Sequence, residues 1–303
     1  MSKKVAHESL THLNDQARET LALPNEQRIQ RIKGDRWIGY ERAKQIMKKL
    51  EDLIDHPKVS RNPNLLILGA SNNGKTMIAN RFIKLHPASD NPDGNGVVVP
   101  VLMVRVTAPD ENRFYNAILD KVFAPYKPSD HVSKKQSQVV NTLRRVGLRM
   151  LMIDDIQDIL AGHLEKQRQF LNVIRFLGNE IGIPIAATGT KDALRALQSD
   201  VQLANRFEPA PLPKWQMDKE YLRLLASFER MLPLRNPSNL IETTLAIKIL
   251  SMSEGLIGEI ASILRRTAIH GIESGLELID AKGLDAIGWT APSDRRRVAE
   301  AIV

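Results

Sequence analysis

The stretch NLLILGASNNGKTMIANRF, residues 64–82, decides the fold. The apolar run Leu65 to Leu68 ends at Gly69, and Gly74, Lys75 and Thr76 complete the spacing G-x-x-x-x-G-K-T. An uninterrupted apolar run of this length reads as a strand buried on both faces, and the residues after Gly74 take up helical spacing. A loop between such a strand and helix can turn its backbone amides inward onto phosphates only where side chains do not obstruct the turn. Gly69 and Gly74 supply that freedom. Lys75 is expected to reach the β- and γ-phosphates and Thr76 to place its hydroxyl on Mg²⁺. Ser71, Asn72, Asn73 and Met77 fill the remaining loop and first-turn positions. The positive end of the helix faces the same anions, so the expected ligand is ATP with Mg²⁺.

A second stretch agrees with the first. RMLMIDDIQDIL, residues 149–160, is an apolar strand ending in two carboxylates. Asp154 is expected to hold the Mg²⁺ shell and Asp155 to orient or deprotonate the attacking water. ATPases of this architecture mostly carry glutamate at the second position. The aspartate is one methylene shorter, and slow hydrolysis is expected from it. A further apolar run, Ile183 to Ala187, ends in AATGTKDAL, where Thr188 or Thr190 can reach the γ-phosphate; Thr190 is the favoured sensor. In LANRFEP, Arg206 follows a polar loop and precedes an aromatic. A guanidinium supplied by a neighbouring subunit stabilises a transferring phosphoryl group, and Arg206 is the candidate for that role.

The whole chain has 303 residues, 43% of them apolar, a formal charge of +8 and no cysteine. That length supports one large or two smaller cores. Disulfides, thiolate zinc sites and a cysteine nucleophile are excluded. The positive balance points to an acidic partner, nucleic acid before membrane surface. MSKKVAHESLTHLND has a basic start but no apolar segment of a leader, and no run has the length of a membrane span. A cytoplasmic protein that does not engage membrane is the expectation. The histidines, His7, His12, His56, His86, His131, His163 and His270, are scattered and form no ligand pair at helical spacing.

Apolar runs alternate with helical patterns from residue 40 to about residue 200, which predicts an α/β core with a parallel sheet covered on both faces. An amphipathic helix over Tyr40 to Ile54 precedes the first strand. The proline-rich stretch EPAPLPKW, residues 208–215, marks a joint, beyond which every segment reads as helix. The expected division is a polar arm (1–36), an α/β nucleotide-binding domain (37–212), a small all-helical lid (213–290) and a basic tail (291–303).

Three blocks together, RWIGYERAKQIMKKLEDLIDHP, NLLILGASNNGKTMI and LMIDDIQDILAG, resemble the TniB/TnsC type of AAA+ transposition regulators, relatives of the Mu B protein. The Asn72-Asn73 pair and the RWIGY lead are the more specific marks and point to TniB. The similarity runs from about residue 26 to about residue 275. It implies ATP-dependent oligomers, in rings or filaments, assembled on double-stranded DNA without sequence preference. Such assemblies mark a target and recruit a DDE-type transposase, with a TniQ-type protein as a further partner. It also implies that Trp37, Ile38 and Tyr40 lie against the adenine. One departure stands out: AAA+ lids often place a sensor arginine shortly after a glycine, whereas Glu259 and Ile260 follow Gly258 here and the first arginine is Arg265.

Non-specific duplex binding needs lysines, arginines and small hydroxyls on loops facing one axis. TAPDENRFY offers Thr107 and Arg113. APYKPSDHVSKKQSQ, residues 124–138, offers Lys127, Ser129, Lys134 and Lys135, and the resemblance ranks it first. Other basic faces are Arg28, Arg31, Lys33 and Arg36 in the arm, and Arg295, Arg296 and Arg297 in the tail. No helix-turn-helix, zinc module or basic zipper is legible. Two other functions fit parts of the sequence: a stand-alone P-loop kinase, which only the loop favours, and an AAA+ loader or remodelling ATPase acting on a protein partner in DNA replication or repair.

Overall fold

A computed structural model of the chain describes residues 10–57, 59, 61–90, 94 and 96–300; the first residues of the arm, including His7, the end of the tail and the side chain of Arg296 lie outside the described residues. Two compact units emerge, one formed by Glu41–Pro213 and the other by the described residues before and after it.

The helical unit begins with α1 (Asp15–Leu21), whose N-cap Asn14 accepts from the Ala17 amide, and α2 (Asn25–Lys33). These helices are not a free-standing polar arm. Ala17, Arg28 and Ile32 are buried, and Ile32 joins one apolar cluster with Leu224, Leu225, Ile260 and Ile263. Arg28, grouped above with exposed basic faces, is fully buried. Its guanidinium donates to both carboxylate oxygens of Glu277, at 2.8 and 2.5 Å, and to the Pro233 carbonyl at 2.7 Å.

The α/β unit opens with α3 (Glu41–Ile54), whose apolar positions recur at three- and four-residue steps and are buried from Ala43 to Ile54. Next come β1 (Asn64–Gly69), α4 (Lys75–Leu85), a short antiparallel ribbon pairing Ser89–Asp90 with Val97–Val98, and β2 (Val101–Arg105). Then follow α5 (Glu111–Lys121), α6 (Val132–Arg145), β3 (Met150–Asp154), a 3₁₀ turn (Ile156–Ala161) and α7 (Leu164–Ile181). The unit ends with β4 (Ile185–Gly189), α8 (Lys191–Gln198), α9 (Val201–Ala204) and β5 (Phe207–Leu212). The strands lie in the order β2-β3-β4-β1-β5, all parallel.

Helices cover both faces, and the central strands are buried throughout: every residue of β3 and β4 is buried. Each fully buried aliphatic side chain of this kind contributes about 1.5–3 kcal/mol from removal of apolar surface. The proline-rich joint expected over 208–215 begins as a strand and does hold the division between the units, which falls between Pro213 and Lys214. In β5, Pro209 and Pro211 pair with Leu66 and Leu68 at the sheet's edge. Residues two apart direct their backbone nitrogens to the same side, so both rings can face outward without removing a ladder bond to β1.

Beyond the sheet the chain returns to the helical unit through α10 (Lys219–Met231), α11 (Thr243–Ser253), α12 (Ile257–Glu273), α13 (Ala281–Ala286) and α14 (Pro292–Glu300). Tail residue Arg295 forms a two-pronged ion pair with the buried Glu259 on the first turn of α12. Trp289 lies within 5.2 Å of the Arg266 guanidinium and 5.3 Å of that of Arg295. Among the described residues, no helix is long and apolar enough to cross a membrane.

Candidate functional site

The loop between β1 and α4 is shaped by backbone geometry before any ligand is considered. Gly74 holds φ 85°, a left-handed conformation that glycine takes without strain, and Asn72 holds φ 58°. Asparagine is among the few other residues that adopt that region readily. A β-carbon on Gly69 would come within 3.1 Å of the Leu212 backbone oxygen and its β-carbon, so a larger residue at the strand end would press on the end of β5. The second asparagine has another role. Asn73 is buried, and its amide donates to the carbonyls of Leu212 at 2.8 Å and Pro213 at 3.1 Å, tying the loop to the end of β5.

Lys75 opens α4 and is buried. Its ammonium donates to the carbonyls of Gly69 (3.0 Å) and Ala70 (2.8 Å), so the charge sits over the mouth of the loop. Burial lowers its pKa from the usual lysine value, with the charges of Asp155 and Asp154 acting in the opposite direction. On the following residue, the Thr76 hydroxyl lies 3.1 and 3.2 Å from the two carboxylate oxygens of Asp154. Ser71 and Met77 are exposed on the loop and first turn.

Parallel pairing aligns the carboxyl ends of β1, β4, β3 and β2 along one rim. Asp154, the last residue of β3, is buried and receives the hydroxyl of Thr188 as well as that of Thr76. The strand-end threonine brought to the carboxylate is therefore Thr188, which is fully buried and also accepts the Asp155 amide at 3.3 Å. Thr190, the favoured sensor, instead caps α8, and its amide donates to the side-chain oxygen of Gln157 at 3.2 Å. Asp155 lies next to Asp154 in a left-handed conformation, φ 56° and ψ 46°. Aspartate, like asparagine, is among the non-glycine residues that reach this region.

Arg105, which sequence reasoning missed, ends β2 opposite Asp154 in the register, and its guanidinium lies 2.8 Å from Asp155. An arginine at the end of an apolar strand carries no motif; only the strand order reveals it. A hard-oxygen set of one buried carboxylate and a hydroxyl suits Mg²⁺, which takes its other ligands from water and phosphate. Among the described residues, no group of histidines and carboxylates forms a metal site of its own.

Arg206 precedes β5 and is half-buried, with its guanidinium 2.7 Å from the Asn179 side-chain oxygen. Register places Phe207 opposite Asn64 and Leu212 opposite Gly69. At about 3.3 Å per residue, Arg206 thus lies at the amino edge of the sheet, roughly 20 Å from the loop of its own chain. Beside it is a polar groove of about 510 Å³ lined by His56, Arg61, Asn62, Gln202 and Asn205.

Of the candidate DNA residues, Thr107, Arg113, Lys127, Ser129 and Lys134 are exposed. Lys135 is not. It is fully buried on the first turn of α6, donates to the Asn112 side-chain oxygen (2.8 Å) and the Pro128 carbonyl (3.0 Å), and sits 5.3 Å over the Tyr126 ring. That geometry corrects its assignment to a DNA-facing loop: its charge braces the 122–131 loop from inside. One helical step of about 100° separates it from Lys134, whose ammonium pairs with Asp130 at 2.7 Å. In the same loop Val122, Ala124 and Tyr126 pack on the core while Phe123, at φ 52°, is 95% exposed. Trp37, Ile38 and Tyr40 belong to the helical unit; Ile38 and Tyr40 pack on its core, and the Tyr40 ring meets Trp215 edge-on at 5.1 Å.

Solved structures share this fold at low identity. ORC2 of Aeropyrum pernix, solved in ADPNP-ADP complexes, aligns with a TM-score of 0.59 at 15% identity over 85% of this chain and 71% of that one. ORC1 of the same organism, solved in complex with DNA, aligns at 0.56 and 14% identity, over 90% of this chain and 71% of that one. Cdc6p of Pyrobaculum aerophilum aligns at 0.58 and 14% identity, over 82% and 67%. No curated protein sequence matches the chain. The fold is that of the AAA+ ATPases. The family described as bacterial TniB protein matches residues 28–217, more than half of the chain, and the chain belongs to that family.

Proposed function

We propose that the protein is an ATP-dependent, DNA-binding AAA+ regulator of transposition that assembles on duplex DNA and uses slow ATP hydrolysis as the switch that ends assembly. The observation that carries the nucleotide part is the Thr76 hydroxyl set 3.1 Å from Asp154, beside a buried Lys75 at the mouth of a glycine-shaped loop. In that role Lys75 neutralises the β- and γ-phosphates, Thr76 and Asp154 hold Mg²⁺, and Asp155 directs the attacking water. Bound Mg²⁺ would supply charge neutralisation between the phosphates. Replacing Lys75 with alanine should weaken ATP binding about 10- to 100-fold, the worth of a charge-assisted contact. Equilibrium titration with a fluorescent ATP analogue checks this, and unchanged affinity would remove the assignment.

The DNA part rests on family membership and on the exposed Arg113, Lys127, Ser129 and Lys134. The ORC1 structure in complex with DNA is consistent with DNA as a ligand for this fold. A DDE transposase and a TniQ-type protein are the expected partners, and ATP favours assembly to the extent that it binds the assembled state more tightly. The decisive experiment is sizing of the protein with and without duplex DNA, in ADP and in a non-hydrolysable ATP analogue. Growth to large species only with DNA and analogue together supports the proposal, and a monomer under every condition refutes it. Lysines that meet phosphates release counterions, so changing Lys127 and Lys134 together to alanine should weaken binding on all sequences and flatten the salt dependence by about two in logarithmic slope. A slope equal to wild type would take these lysines off the DNA.

A further inference from the structure

We infer that Phe123 is a wedge that enters the groove of duplex DNA and unstacks a base step, giving an otherwise sequence-blind contact a preference for easily deformed DNA. The inference rests on the proposed DNA reading and adds to it a contact that lysines cannot supply. The Phe123 amide donates to the Asp120 carbonyl at 3.1 Å and the Ala124 amide to the Leu119 carbonyl at 2.9 Å, closing α5 with Phe123 in a left-handed conformation. The next helix, α6, closes in the same way. There the Gly147 amide donates to Arg144 at 3.1 Å and the Leu148 amide to Leu143 at 3.0 Å, with Gly147 at φ 64°. Glycine is the ordinary occupant of such a helix end because a β-carbon disfavours the conformation. In α5 a phenylalanine stands there instead, and its ring gains nothing from the fold, being 95% exposed.

The ring's surroundings favour nucleic acid over protein. Among the described residues from 120 to 135, Phe123 is the one large apolar side chain that is exposed. A protein-binding face centres on a cluster of apolar residues and is depleted in lysine. Here the neighbours in the chain are Lys121, Lys127 and Lys134, all exposed. The acidic groups are Asp120, which is exposed, and Asp130, which is held by the Lys134 ammonium at 2.7 Å and the Lys127 amide at 3.1 Å. The loop is also fixed in shape. Val122, Ala124 and Tyr126 pack on the core to either side of the ring, and the buried Lys135 ammonium donates to the Pro128 carbonyl at 3.0 Å. A ring on a fixed backbone loses little freedom on insertion. A phenyl group offers no hydrogen bond to a base edge; it acts by entering the minor groove and separating stacked base pairs. Pyrimidine–purine steps, which unstack at low cost, accept it best.

The test is duplex binding by the full chain, followed by fluorescence anisotropy with a non-hydrolysable ATP analogue over a range of salt, for wild type, F123G and F123Y. F123G should resist denaturant at least as well as wild type, because glycine suits the backbone, yet bind duplex about ten-fold more weakly. The slope of affinity against salt should stay the same, since no phosphate contact is lost. F123Y should stay near wild type. With 2-aminopurine placed in a TA step, binding of wild type should raise its fluorescence and binding of F123G should not. Equal affinity and equal 2-aminopurine signal for F123G and wild type overturn the wedge. A loss of affinity that comes with a flatter salt slope overturns it too, as does a loss of self-assembly by F123G without DNA, which would put the ring at a contact between copies. Wild-type protein that binds no duplex would instead overturn the DNA reading itself, so the two failures are distinguishable.

Discussion

Changing Arg206 to alanine should lower ATP turnover about a thousand-fold while leaving ATP binding by the isolated chain near wild type. The reasoning is geometric. Arg206 lies at the amino edge of the sheet, and the loop carrying Lys75 lies at the carboxyl edge. Five residues of strand separate them, so the guanidinium is out of reach of a triphosphate in its own chain. A neighbour in a ring or helix can present it to the adjacent loop, where it meets charge that develops as the phosphoryl group transfers. Its present contact, with the Asn179 side chain at the surface, is neutral and easily exchanged. Mixing supplies the strictest check. Chains carrying R206A and chains carrying K75A should each be inactive, yet together recover part of the turnover, because some interfaces then pair an intact lysine with an intact arginine. Full activity of R206A alone, or no recovery on mixing, would remove the residue from the neighbour's site.

The second large effect concerns stability. Changing Arg28 to alanine should cost about 3–5 kcal/mol, the range for removing one partner of a buried ion pair. Arg28 is fully buried between α2, the Pro233 carbonyl and Glu277, and Asn25 accepts from it at 2.9 Å. Without it the Glu277 carboxylate, which among the described residues keeps Arg235 as its ion-pair partner, loses its buried counter-charge. Changing Arg28 to Met together with Glu277 to Gln should recover much of the loss, since no unpaired charge is then left behind. Denaturant unfolding followed by circular dichroism measures both, and a single-variant loss below about 1 kcal/mol would show the pair to be dispensable.

The same pair has a pH signature. Burial pushes the Glu277 pKa up, but the hydrogen bond and charge of Arg28, and then those of Arg235, outweigh it and leave the carboxyl below its usual value of 4.5. A depressed folded-state pKa means that the ionised form favours folding. The contribution is fully present above the unfolded value and is lost as pH falls through the lower, folded one. Wild type should therefore lose stability below pH 4.5 more steeply than the R28M/E277Q double variant.

Where local chemistry dictates geometry, the sequence could be read directly. The strand run before Gly69, the glycines of the loop and the carboxylates ending MLMIDD lie where spacing puts them, because a parallel sheet brings strand ends to one rim. Features that depend on through-space neighbours were not legible. Arg105 reaches Asp155 only because β2 lies beside β3, and no spacing along the chain encodes that. Lys134 and Lys135 look interchangeable as letters, yet α6 turns one outward and the other into the core. The prolines of β5 read as a break because proline opposes a central strand, whereas an edge strand accepts it. The strand-end threonines were a matter of direction: alternation sends Thr188 inward to Asp154, while Thr190 begins a helix.

The division into two units also separates the chain's natural light emitters. The three tryptophans, Trp37, Trp215 and Trp289, all belong to the helical unit, and none lies in Glu41–Pro213. Intrinsic fluorescence excited at the indole band consequently watches one half of the molecule, while far-ultraviolet dichroism watches both. Unfolding curves from the two signals coincide only if the halves melt together. A gap between them would give the helical unit's own stability, and adding ATP or duplex should then move one curve before the other.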